Sequence, residues 1–167
     1  MAFMVRKVKA QPRSGCPVAV SLDLVGDRWS LLIVRDMMVR GYRTFRQFQR
    51  SGEGIATNIL ADRLEKLEQS GILTREPAGD DGRSTHYRLT GKGIALAPVL
   101  LELLIWAGRH EKTEAPSAAI EQMERNRAAL LAETRRRWQQ RDLTPLIPPF
   151  STPPKAKKNS PKGKSRS

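Results

Sequence analysis

Residues 44–70, TFRQFQRSGEGIATNILADRLEKLEQS, restrict the possible folds more than any other stretch. Thr44-Phe45-Arg46-Gln47 has the S/T-x-x-E/Q form of a capping box, which satisfies orphan backbone donors and starts a helix. Phe45 and Phe48 fall three apart and share a helical face. Gly52-Glu53-Gly54 interrupts the pattern, and a second helix is predicted over about 55–70. Leu60, Leu64 and Leu67 recur at spacings of four and three, and Gly71 stands where a helix C-cap glycine belongs. Thr57, Asn58, Ala61, Asp62 and Glu65 lie mostly away from that stripe. Two helices joined by a glycine turn, the second with a free polar edge, have the form of a helix-turn-helix. Its second helix enters the DNA major groove by its N-terminal residues. An asparagine there suits groove reading, because its amide can pair with adenine at two points. Two amphipathic helices that merely pack together would show much of the same pattern, so the next segment decides.

After Gly71 the period changes. Residues 72–77 read as a strand ending at Pro77, 78–83 as a turn-rich tip, and 84–90 as the returning strand. A hairpin directly after a recognition helix is a wing. Arg83 at its tip, beside Ser84, is placed to meet a phosphate or enter a minor groove; the bland alternative is a solvated turn residue. The expected fold class is mainly α with a small β-hairpin wing, a winged helix-turn-helix that dimerises through its terminal helices.

The remaining segments read as helices. Pro17 suits the first position of one that ends near Gly26, with Cys16 at or near its N-cap. A thiol there sits beside partial positive charge, which favours the thiolate. Cys16 is thus a candidate redox or electrophile sensor; the alternative is a small buried hydrophobe. Asp27-Arg28-Trp29-Ser30 opens the next helix, with Trp29 as a core anchor. Thr90 caps a helix over about 91–112 that is apolar nearly all round and so needs burial on more than one side, most simply against another subunit. Pro98 should kink it. A further amphipathic helix is predicted over about 117–141, extending the dimer contact or lying across the DNA backbone.

Composition narrows the function. Of 30 Lys+Arg and 17 Asp+Glu, giving +13, the terminal segments 1–14 and 142–167 hold ten basic residues and one acidic residue. Arg40, Arg43, Arg46 and Arg50 crowd the first helix of the pair and its approach. Such clustering favours a polyanion. The expected organisation is a basic flexible arm (1–14), a winged helix-turn-helix domain (15–112), a C-terminal amphipathic helix (113–141) and a disordered basic tail (142–167). The single cysteine excludes an intramolecular disulfide framework, and no Cys/His cluster has metal-ligand spacing, so neither a metal nor another cofactor is expected. The start lacks the apolar run of a signal peptide, and no uninterrupted apolar stretch is expected to span a bilayer. The expected location is cytoplasmic and nucleoid-associated, with no membrane partner. His86 and His110 sit in no catalytic motif, and no phosphate loop, nucleophile elbow or carboxylate pair stands out. No catalytic residue is expected, and an enzyme is the disfavoured class.

The order of elements, with the phrase GIATNILADRL at 54–64 and Gly71-Ile72-Leu73 after it, resembles the HxlR family. These are bacterial winged-helix transcription regulators related in fold to the MarR group. The resemblance covers roughly 16–111. It implies a homodimer built through the first and last domain helices, with one recognition helix and one wing per subunit. It implies groove-facing roles for Thr57, Asn58, Ala61 and Asp62, with Arg63 near the DNA backbone and Arg83 on the wing. Thr44, Arg46, Lys66 and Ser84 complete the expected DNA-facing set. Some members sense quinones, aldehydes or oxidants through a cysteine in the Cys16 position. Ala56 departs from the family's frequent capping serine, so that helix start must be closed otherwise, with Thr57 the nearest substitute. The expected function is a sequence-specific regulator binding double-stranded DNA as a homodimer on a pseudo-palindromic operator, with a small-molecule or oxidant effector acting through Cys16. The alternative is an architectural DNA coater or a winged helix used for protein contact.

Overall fold

The computed structural model describes residues 14–78 and 84–146, with Ser84 described by its backbone alone. Most of the expected basic arm, residues 147–167 of the expected tail, and the hairpin tip with Arg83 lie outside the described residues.

Helices α1 (Pro17–Val25), α2 (Arg28–Val39), α3 (Phe45–Gln49) and α4 (Thr57–Gln69) precede a hairpin of β1 (Leu73–Ala78) and β2 (Ser84–Leu89). Helices α5 (Gly91–Ile94), α6 (Ala97–His110), α7 (Ser117–Arg125) and α8 (Arg127–Gln140) follow. The strands pair antiparallel in a register that sets Leu73 opposite Leu89 and Glu76 opposite His86.

The local signals act as their chemistry requires. Thr44 Oγ1 accepts from the Gln47 N–H at 3.2 Å while Gln47 Oε1 accepts from the Thr44 N–H at 2.9 Å, which closes the capping box. After Ser70, Gly71 takes φ 71°, and Ile72 N–H donates to Leu67 O, a Schellman closure that stops α4 at the wing. Thr90 accepts from Gly93 N–H and caps α5.

Two expectations are corrected. The helix predicted over 91–112 does not kink but divides, because Pro98 lies in the first turn of α6, where a missing N–H is tolerated. The helix predicted over 117–141 breaks at Asn126 (φ −114°, ψ 25°), whose side-chain amide donates to Gln122 O and competes with the helical bonding.

One core gathers Val25, Ile33, Val34, Phe48, Leu60, Leu64, Leu67, Ile72, Leu73, Tyr87, Leu89 and Ile94; Trp29 packs at its edge. A smaller cluster of Leu101, Ile105, Ile120 and Met123 joins α6 to α7. Against expectation, the stretch Gly91–His110 is long and apolar enough, by length and composition, to cross a membrane. Its chain divides between α5 and α6, however, and Ile94, Leu100, Leu101 and Ile105 are buried in the protein.

Asp27 links two helices. It caps α2 by accepting from the N–H groups of Trp29 and Ser30 at 3.0 and 3.1 Å, and from the Ser30 hydroxyl at 2.5 Å. Arg63 of α4 approaches the oxygen that takes the two N–H groups, Nε to Oδ1 3.2 Å. Burial works to raise the carboxyl's pKa, but the Ser30 and Trp29 donors and the Arg63 charge outweigh it and hold the value below the usual range. A carboxylate so depressed stabilises the fold fully above its unfolded value, and that contribution fades as pH falls through the folded one. Asp27→Ala is expected to cost about 1–2 kcal/mol in urea unfolding at pH 7. The gap from the parent chain should narrow below about pH 4.

Candidate nucleic-acid interface

Helix α4 divides cleanly. Leu60, Leu64 and Leu67 are each 0% exposed, whereas Thr57, Asn58, Ala61, Asp62 and Glu65 face solvent. The N-cap, Ala56, offers no side-chain hydrogen bond. Thr57 does not substitute for the absent serine: its hydroxyl accepts from Gln49 Nε2 at 3.0 Å and ties α3 to the start of α4. Among the described residues no side chain caps the first turn of α4, at the positive end of the helix dipole, an arrangement that suits a phosphate.

The turn between α3 and α4 is held by charge. Gly52 and Gly54 take φ 91° and 75°, conformations costly for other residues, and so bracket Glu53 tightly. Arg35 of α2 donates to Glu53 Oε1 at 2.9 Å and, through Nε and Nη2, to Asp36 Oδ1 at 3.0 and 2.7 Å. Arg40 reaches the same Asp36 oxygen at 3.1 Å and donates to Ser51 O at 3.0 Å. Burial pushes the Asp36 carboxyl upward against the pull of both arginines. Burial also opposes the Arg35 charge, yet Asp36 and Glu53 outweigh it. A buried carboxylate thus aims two arginines at the turn that sets the angle between the helices.

The wing joins α4 through Arg75, whose Nε lies 2.8 Å from Glu68 Oε2 and whose guanidinium stands 5.8 Å from the centre of the Tyr87 ring.

The expected DNA-facing residues divide. Thr57, Asn58, Ala61 and Asp62 share the free edge of α4, and Arg46 is exposed on α3. Thr44 is half-buried, its hydroxyl committed to the cap. Lys66 is half-buried in the last turn of α4. Ser84 opens β2, and Arg83 lies outside the described residues. Arg63, expected near the DNA backbone, pairs on both sides: its Nε lies 3.2 Å from Asp27 Oδ1 at the α2 cap, and its Nη1 lies 3.4 Å from Asp62 Oδ2 on the exposed edge of α4. Its Nε is buried and meets no hydrogen-bond geometry, so the contact with Asp27 is a charge pair. Arg35, Asp36, Arg40 and Glu53 form a group that the sequence marks only as R-D-x-x-x-R and a G-E-G turn. Cys16 stands exposed at the α1 N-cap of the single chain. The Ala19 and Val18 N–H groups lower its thiol pKa.

A helix pair with a buried leucine seam, a free polar edge and a hairpin beside it defines a winged helix-turn-helix DNA-binding domain. Residues 24–115 match the family profile described as HxlR-like helix-turn-helix, and the chain belongs to the HxlR family. YodB of Bacillus subtilis (strain 168), an HTH-type transcriptional regulator, is 36% identical over 93 residues, 55% of this chain and 82% of its own. YybR of the same organism, an uncharacterized HTH-type transcriptional regulator, is 32% identical over 94 residues, 56% of this chain and 74% of its own. Among solved structures, PA1607, described as a candidate transcription factor, is 42% identical at a TM-score of 0.57, covering 63% of this chain and 72% of that one. The redox regulator HypR in its oxidized form is 28% identical at 0.53, covering 59% and 100%. The chain is a transcriptional regulator with a helix-turn-helix DNA-binding domain, and not an enzyme.

Proposed function

We propose that the protein acts as a homodimer on a pseudo-palindromic operator in the cytoplasm, on the nucleoid, with Cys16 as its redox or electrophile sensor. The observation that carries the DNA reading is the exposed edge of α4 above a first turn without a side-chain cap. Asn58 reads a base, with Thr57, Ala61 and Asp62 fitting against the groove floor. Arg46, Lys66 and, from the wing, Arg83 and Ser84 contact the backbone. Thr44 supports them by starting α3. Arg63 fixes the rotation of the recognition helix from behind.

Two exposed apolar rows support the dimer. Val18 and Leu22 of α1 are 66% and 62% exposed; Val99, Leu103 and Trp106, spaced four and three along α6, are 48%, 46% and 56% exposed. An open groove of about 890 Å³ shares Leu103 with the α6 row; Leu31, Leu32, Leu104 and Ile120 line it together with Arg28, Arg35 and Glu53. Exposed apolar rows of this kind mark interaction sites, and a second copy would cover them symmetrically. Two recognition helices related by a two-fold axis read half-sites about 34–36 Å apart.

For Cys16, the exposed thiol and its lowered pKa support attack on a peroxide or a quinone. The redox regulator HypR among the similar structures fits this reading.

A gel shift with DNA from upstream of the protein's own gene is expected to show preference over random duplex. Asn58→Ala should cost about 1–3 kcal/mol of that preference, with random-duplex binding unchanged. Equal affinity for both DNAs in the parent chain would refute a specific regulator. In sedimentation equilibrium, Leu103→Asp is expected to yield monomers and lose tight operator binding; an unchanged mass would remove this face from the interface. Peroxide or a quinone should change operator affinity severalfold in the parent chain and leave Cys16→Ser unaffected; equal responses would exclude the sensor.

A further inference from the structure

The family match ends at residue 115, yet the chain continues into α7, α8 and a strap running to residue 146. That extension returns to the wing. In the hairpin, Leu73, Arg75, Tyr87 and Leu89 share the face turned to the core, so Glu76, His86 and Arg88 share the outer face. The outer face is where α8 ends. Trp138 Nε1 donates to Leu89 O at 2.8 Å, and Arg88 Nη2 donates to Trp138 O at 3.3 Å, its guanidinium 5.7 Å from the centre of the indole. Arg141 donates through Nη1 and Nη2 to the two Glu76 oxygens at 3.2 and 3.4 Å, and Arg88 Nη1 lies 3.8 Å from Glu76.

The edge of β2 that faces away from β1 is filled in the same region. Tyr87 N–H donates to Arg43 O at 2.8 Å, and the Trp138 indole takes Leu89 O. The strap then crosses the connector that leads into α3. Leu146 N–H donates to Val39 O at 2.8 Å. Leu143 lies so close over Gly41 that a Cβ there would stand 2.2 Å from the Leu143 carbonyl oxygen. Gly41 itself takes φ 69°. One segment therefore touches both the approach to the helix pair and the root of the wing.

We infer that Trp138 and the Glu76–Arg141 pair are positioning residues for DNA binding: the extension braces the outer face of the wing and holds it in register with the recognition helix. The inference rests on the DNA-binding reading above, and adds to it a role for residues outside the family domain. Inside the domain, Arg75 and Glu68 tie the wing to α4 from the inner face. The brace supplies the opposing contact, and the wing is clamped from both sides.

Glu76→Gln gives the sharpest test, because two accounts predict opposite signs. If Glu76 acts only through its charge, removing an acid beside a polyanion tightens binding. If it anchors the brace, removal loosens the wing and weakens binding. Trp138→Phe keeps an aromatic ring, smaller than the indole, and removes the Nε1 donor, and so serves where a non-aromatic residue would unfold the chain. Operator affinity, its salt dependence and hydrogen exchange at residues 85–89 would be measured on the full chain. Both variants are expected to lose roughly two- to thirtyfold in operator affinity. The salt slope should stay that of the parent chain, since no phosphate contact is removed. Amide exchange at 85–89 should rise more than in α4 in both variants, and in Glu76→Gln the melting midpoint should be nearly unchanged. Tighter or equal binding by Glu76→Gln, or exchange in β2 rising only in step with α4, would overturn the brace. Exchange is read without DNA, so a parent chain that failed to prefer its operator would sink the regulator reading and still leave the brace measurable.

Discussion

A helix that offers one edge to a duplex must be held entirely by the other, and in α4 three leucines carry that burden. Leu60, Leu64 and Leu67 are fully buried against α2, α3 and the hairpin. Burying a leucine contributes about 1.5–3 kcal/mol, enough to keep the helix on the body. Apolar burial has no preferred direction, however, and leaves rotation about the helix axis loosely set. The polar contacts supply direction. Arg63 meets Asp27 near the middle of the helix, Glu68 meets Arg75 at its end, and Arg35 with Arg40 grips the turn before it. None of these pairs is a large source of stability. Their consequence is angular: the free edge faces outward in one orientation.

The sequence was legible wherever the governing contact is local. The capping box at Thr44, the Gly71 stop and the Thr90 cap each depend on partners within a few residues, and the hairpin on two strands adjacent in the chain; each formed as read. The leucine stripe was equally plain, since a period of 3.6 fixes which residues share a face. Arg63 defeated that logic. Its position on the helix wheel lies toward the polar edge, but its side chain is long enough to reach back to Asp27, a residue 36 positions earlier in the chain. Trp138 failed for the same reason: nothing near it in sequence says that its indole ends on Leu89, 49 residues away. The breaks at Ala95–Leu96 and Asn126 were harder still. The apolar pattern runs through both, and only the backbone chemistry of Pro98 and Asn126 decides where the helix stops.

The excess apolar surface of α6 was legible as a quantity but not as a division. Leu100, Leu101 and Ile105 go to the chain's own two clusters, while Val99, Leu103 and Trp106 remain outside. The stretch Gly91–His110, apolar enough by length and composition for a membrane span, divides here into α5 and α6 and serves two interior surfaces and one exterior one. The extension is what makes this possible. By packing Ile120 against Gly108 and pairing Arg127 with Glu102, α7 and α8 cover one side of α6 and leave the row on the other side open.

That same extension changes what a wing is in this protein. A two-stranded hairpin is marginal by itself, and one attached only at its base can swing about that base. Here its inner face is fixed by Arg75, one edge by the Arg43 carbonyl, and its outer face by α8. Arg43 feels the crowding: desolvation, with the nearby Arg141 and Arg88 charges, lowers its pKa despite Glu76. Glu76 is the acid around which these arginines gather. A carboxylate among cations on a DNA-binding protein weakens its attraction for phosphate, so its presence on the outer face needs a structural reason. Holding Arg141 and Arg88 to the hairpin provides one. The wing gains a fixed bearing by giving up part of its positive field.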